Sequence, residues 1–128
     1  MSKNIVIISD LHSGSVYGLV PPDYYSTHYA SMQSESWQAY CKLVKKWAKP
    51  DVLIVNGDLI EGRQKAQGGA ELVTIDRNVQ CDMAEISLEM WEAKKIFLVF
   101  GTAYHVSSDA EDFEYNIAKN LGAVIEGR

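Results

Sequence analysis

Three short segments of this 128-residue sequence combine acid, imidazole and glycine at spacings suited to metal chemistry: Asp10-Leu11-His12, Gly57-Asp58 and Gly101-Thr102-Ala103-Tyr104-His105. Carboxylate oxygens and imidazole nitrogens together suit Mn2+, Fe2+ or Zn2+, whereas oxygen-only cages suit Mg2+ or Ca2+. In an Asp-x-His pair just past a strand, alternate residues share a side, so Asp10 and His12 can face one ion. The glycine before Asp58 lets the backbone approach closely, and Asp58 on a neighbouring strand can then bridge two ions. A lone aspartate at a strand end is ordinarily a turn or cap residue. The recurrence of such groups at three strand ends calls for chemistry.

Those groups need elements to position them, and the hydrophobic pattern supplies these. Apolar runs of strand length cover Asn4 to Ser9, Val52 to Asn56, Ile96 to Phe100 and Ala123 to Glu126. Between them lie helical patterns. Trp37, Tyr40, Cys41, Val44, Trp47 and Ala48 fall on one face of a helix that Ser34 or Ser36 can cap and Pro50 ends. Ile75, Val79, Met83, Ile86 and Met90 mark a second buried stripe, and Phe113, Ile117 and Leu121 a third. Ser108 to Glu111 reads as a capping box, and Gly122 suits the position just past that helix. The order β-α-β-α-β-α-β predicts an α/β domain over residues 1–128. Its expected form is three-layer, with a mainly parallel sheet covered by helices on both faces. In such a sheet, ligands collect beyond the carboxyl ends of the strands, which is where all three segments fall. A sheet that ends at Val124-Ile125 leaves an open edge, so self-association through that edge is expected.

Composition narrows the setting. Hydrophobic residues make up 47% and charged residues 23%, the profile of a globular domain. The longest apolar run, Ile96 to Phe100, is far short of a membrane span, and Ser9-Asp10 interrupts the N-terminal run before it can serve as a signal peptide. A cytoplasmic location is expected. Seventeen acids oppose twelve bases for a net charge of −5, which argues against a broad duplex-DNA-binding surface. Cys41 and Cys81 lack the spacing of a metal clip and read as small buried hydrophobes. Tyr24, Tyr25, His28, Tyr29 and Trp37 can form either a substrate-stacking wall or a packed loop cover. Arg63 and Lys65 read first as solvated loop charge, with a phosphate contact as the functional alternative.

The quoted segments, together with Ile-Ile-Ser-Asp-Leu-His and Val-Asn-Gly-Asp-Leu-Ile-Glu around the first two, resemble the calcineurin-like metallophosphoesterase superfamily. The resemblance runs from the first strand to the last and is to the N-terminal half of such an enzyme. It implies a phosphomonoesterase or phosphodiesterase that uses two divalent ions and a metal-bound hydroxide. Asp10 and His12 would hold one ion and Asp58 would bridge both. Mn2+ fits first, with Zn2+, Fe2+ or Mg2+ as alternatives. His105 would take the role of the catalytic histidine that acts on the leaving group, and Thr102 is a candidate second-metal ligand. The third segment departs from the family's Gly-Asn-His: two residues are inserted and the asparagine is missing. The family's later histidine motifs are also absent, since only His12, His28 and His105 occur. An incomplete or weakly active form is therefore expected, with a non-catalytic metal- or nucleotide-binding module as the alternative.

Overall fold

The computed structural model describes residues 2–62, 70–100 and 108–127, and over 108–112 the backbone alone. Four strands are formed: β1 (Ile5–Ile8), β2 (Val52–Asn56), β3 (Lys95–Val99) and β4 (Val124–Gly127). Three α-helices alternate with them, α1 (Ala30–Trp47), α2 (Arg77–Glu89) and α3 (Ser108–Leu121). The β-branched content of Ile5-Val6-Ile7-Ile8 and Val52-Leu53-Ile54-Val55 suits a pleated, buried surface. All neighbours pair in parallel in the order β1-β2-β3-β4, with Val6 opposite Leu53, Leu53 opposite Ile96 and Leu98 opposite Ile125.

The α/β class, the alternation of strands with helices and the parallel sheet are as expected; among the described residues the three helices lie on one face of that sheet. Each crossover moves to the next strand in the same direction. Connections of one hand then put every helix on the same face. Leu53, Val55 and Leu98 on that face form a single core with Tyr40 and Val44 of α1, Cys81, Ala84 and Leu88 of α2, and Ile117 and Ala118 of α3. The alternate residues point the other way. Among them Ile5 is 57% exposed, Ile7 65% and Val124 40%. The described residues thus make two layers, with one apolar sheet face left open. Hydrophobic periodicity marks strands as buried on both sides, but it carries no information on strand order, and strand order decides where the helices go.

The helices also differ from their sequence reading in which residues they bury. Helix α1 begins at Ala30, ahead of the expected serine caps, and its N-cap Tyr29 makes no side-chain cap bond. Buried Gln33 explains the early start: its Oε1 accepts from the Ser26 N–H at 2.8 Å and its Nε2 donates to the Val16 carbonyl at 3.0 Å. Trp47, expected in the stripe, is 54% exposed. Helix α2 is capped by Asp76, whose side chain accepts from the Asn78 N–H. It turns Gln80, Cys81, Met83, Ala84, Ser87 and Leu88 inward, while Ile75 and Ile86 of the expected stripe are exposed. The buried faces of α1 and α2 thus include hydrogen-bonded polar side chains alongside apolar ones. Helix α3 starts at Ser108 as expected; the side chains of its capping box lie outside the described residues. Ile117 is fully buried, and Gly122 takes the left-handed φ of 66° that ends the helix.

The tie between α1 and α2 is a buried pair of hydrogen bonds. The Tyr40 hydroxyl donates to the Ser87 carbonyl and accepts from Trp91 Nε1 at 2.8 Å. Burial raises the Tyr40 hydroxyl above the ordinary phenol range, so it stays protonated and keeps donating. Both cysteines are free, and burial pushes the Cys81 thiol up to about 12, which leaves it unreactive. Among the described residues no helix is long and apolar enough to cross a membrane. Tyr40→Phe removes a donor and an acceptor at once and strands the Ser87 carbonyl and the Trp91 indole. Urea unfolding is expected to show a loss of about 1–3 kcal/mol with an unchanged slope.

Candidate metal centre

Strand β1 ends at Ile8 and strand β2 at Asn56, side by side in the sheet. Their extensions do not part. The Asp10 N–H donates to the Gly57 carbonyl at 3.2 Å, His12 N–H to Asp58 at 3.0 Å and Ser13 N–H to Leu59 at 2.8 Å. Glu61 N–H returns to the Ser13 carbonyl at 3.0 Å. The two loops therefore continue the β1–β2 pairing past the sheet, with Ser13 bridged to Ile60. Leu59 and Ile60 are fully buried, so the second loop is plugged into the core. Helix α3 reaches the same turn, where the Leu59 N–H donates to buried Glu114 Oε1 at 3.4 Å.

Within this frame the backbone is bent into the left-handed region at Asp10 (φ 58°), His12 (φ 45°) and Asp58 (φ 53°). Only Lys49 and Glu92 share that geometry among the other described non-glycine residues. Each such residue costs about 1–3 kcal/mol and persists only where its surroundings over-determine it. Here the over-determination is the paired loops. The result is that one ligand atom from each of Asp10, His12 and Asp58 lies within 4.8 Å of the others. His12 Nε2 is 3.3 Å from Asp10 Oδ1. The Asp10 carboxyl is held below the usual carboxylate range, chiefly by the Ser9 hydroxyl and also by His12. It is therefore ionised and ready to ligate at neutral pH. Two carboxylates and one imidazole at this separation fit one divalent ion of the Mn2+, Fe2+ or Zn2+ kind.

The structure thus brings together Asp10, His12 and Asp58, the three residues read from sequence as ligands. The other site candidates, His105 and Thr102, lie outside the described residues, as do Arg63 and Lys65. The aromatic residues divide. Trp37 packs on Tyr40 with ring centroids 5.7 Å apart and belongs to the core side of α1. Tyr29 instead meets Tyr17 edge to face at 5.6 Å, and both are exposed. Tyr17 sits on the loop that His12 begins. Its neighbour Gly18 packs so closely on the His12 carbonyl that a Cβ there would stand 2.2 Å from that oxygen.

Sequence reasoning missed Glu61. Its Oε2 accepts from or shares a proton with His12 Nδ1 at 2.7 Å, and its side chain is only 13% exposed. The signal was present as the acid three residues after Asp58, but the partner lies 49 residues away in the chain. Asp58→Asn removes one of the three ligand groups and one negative charge. Titration calorimetry with Mn2+ is expected to show affinity at least about tenfold weaker than wild type; equal affinity would move the site elsewhere.

No curated protein matches the chain. The family model described as calcineurin-like phosphoesterase matches residues 3–102. That span carries all four strand-end residues just described and most of the chain. On that match, with the ligand cluster standing where the two paired loops leave the sheet, the chain belongs to the calcineurin-like phosphoesterase family.

Proposed function

We propose that the chain acts as a divalent-metal-dependent phosphoesterase, cleaving a phosphomonoester or phosphodiester. The observation that carries this is the convergence of Asp10, His12 and Asp58 within 4.8 Å, each in a strained backbone conformation. A bound ion would neutralise charge on the phosphoryl oxygens and lower the pKa of water in its shell. The chain's residues do the rest. Asp10, ionised at neutral pH, and Asp58 supply the negative charge that retains a cation. His12 supplies the nitrogen that favours Mn2+, Zn2+ or Fe2+ over Mg2+. In this reading His105 protonates the departing oxygen and Thr102 assists a second ion. In this reading the chain works in the cytoplasm, as its sequence suggests.

The described ligands suffice for one ion, whereas in-line displacement between two ions needs more donors. The reading therefore includes weak turnover by the chain alone. With excess Mn2+, hydrolysis of bis-p-nitrophenyl phosphate is expected to be slow and abolished by chelation. His105→Ala is expected to lower kcat by roughly 10²-fold or more with Mn2+ affinity retained, the usual worth of a general acid. Loss of metal affinity in that variant would make His105 a ligand instead. Mn2+ binding with no turnover under any condition would favour the alternative, a metal-binding module of the same fold.

We also propose that the chain associates with itself. Exposed Ile5, Ile7 and Val124 on the open sheet face, with β1 and β4 each paired on one side only among the described residues, support this. Light scattering is expected to show a dimer at micromolar concentration; a folded monomer throughout that range would overturn it.

A further inference from the structure

The three ligand groups explain how an ion would be held, but not why His12 presents the correct nitrogen to it. A neutral imidazole carries its proton on one nitrogen and a lone pair on the other, and only the lone pair can ligate. In this site the two nitrogens face different groups. Nε2 faces Asp10 Oδ1 at 3.3 Å. Nδ1 faces Glu61 Oε2 at 2.7 Å, within the range of a charge-assisted hydrogen bond. Glu61 is not part of the ligand cluster. It sits behind the ring.

The position of Glu61 is fixed on both sides. Its own N–H is bonded to the Ser13 carbonyl. The next residue, Gly62, is gripped by fully buried Gln80 of α2: the Gly62 N–H donates to Gln80 Oε1 at 2.9 Å and the Gly62 carbonyl accepts from Nε2 at 2.9 Å. The same amide donates to the Thr74 carbonyl at 2.9 Å. Gly62 itself takes a φ of 81°, which a glycine adopts without penalty. On the other side, buried Leu59 and Ile60 anchor the segment between Asp58 and Glu61. One five-residue stretch, Gly57 to Glu61, therefore carries both a candidate ligand, Asp58, and the carboxylate that meets His12 Nδ1. A carboxylate aimed at the far nitrogen of a ligating histidine fixes its tautomer and orientation and raises its basicity.

We propose that Glu61 is a positioning residue for the metal centre: it holds the proton of neutral His12 on Nδ1, so that Nε2 offers its lone pair to a divalent ion. This rests on the metal site proposed above, and the experiment separates the two. Nitrogen-15 NMR of the imidazole in metal-free protein, at a pH where His12 is neutral, reads the tautomer directly. Calorimetry with Mn2+ alone reads the affinity. Wild type is expected to show the Nδ1–H form. Glu61→Ala is expected to shift His12 towards the Nε2–H form and to weaken Mn2+ binding by about 10–100-fold. Glu61→Gln keeps an acceptor in place and is expected to restore the tautomer and most of the affinity, which a purely structural role would not do. An Nε2–H tautomer in wild type would overturn the inference. So would a Glu61→Ala protein with wild-type tautomer and wild-type affinity. If wild type binds no Mn2+, the metal reading falls, while the tautomer still decides the role of Glu61. If Glu61→Ala does not fold, the wild-type tautomer and Glu61→Gln decide it.

Discussion

The pairing of the two loops beyond β1 and β2 is the constraint on which the site depends. Four backbone hydrogen bonds, from Asp10, His12, Ser13 and Glu61, hold the loops together after the sheet has ended. Without them, nothing would keep three non-glycine residues in a left-handed backbone, a conformation L-residues otherwise avoid. The side chains would then leave in the directions extended strands dictate, alternately to opposite faces. The bend aims them at one point instead. The sheet contributes rigidity, and Leu59 and Ile60 transmit it by sinking into the core immediately after Asp58.

This arrangement explains what could be read from the sequence and what could not. The strands were legible because each is a short apolar run bounded by turn residues. Asp10, His12 and Asp58 were legible because they follow two such runs directly. Glu61 was not, because its relation to His12 exists only after two loops have been brought together. The helical faces were read partly wrongly for a related reason. Gln33, Gln80 and Ser87 are polar by type yet buried, and each is hydrogen-bonded to backbone: the two amides to loop segments, the Ser87 hydroxyl to the Met83 carbonyl one turn back. Ile75, Ile86 and Trp47, apolar by type, are exposed. Which sheet face the helices cover was not legible, because it follows from strand order.

Buried polar groups here serve the loops more than the helices that carry them. Gln80 spends its amide on Gly62 and Thr74, and Gln33 spends its own on Val16 and Ser26. Such contacts act at a distance from the candidate ligands, yet each fixes a stretch of chain that leads to one of them. Gly14 shows how tight the fit is: a Cβ there would stand 2.4 Å from the Gln80 amide carbon. A well-satisfied polar network of this kind rigidifies a region, and a half-satisfied one destabilises it. Helix α2 therefore helps to hold the loops that carry the candidate ligands.

The open face of the sheet has a thermodynamic consequence. Unfolding raises heat capacity in proportion to the apolar surface newly exposed to water. Ile5 and Ile7 are already more than half exposed in the folded chain, so their hydration is largely present before melting begins. The stability curve of the chain by itself is correspondingly flatter than that of a domain of equal length with both sheet faces covered. Any layer that comes to rest on that face would steepen it, and calorimetry would register the added layer even if the secondary structure did not change.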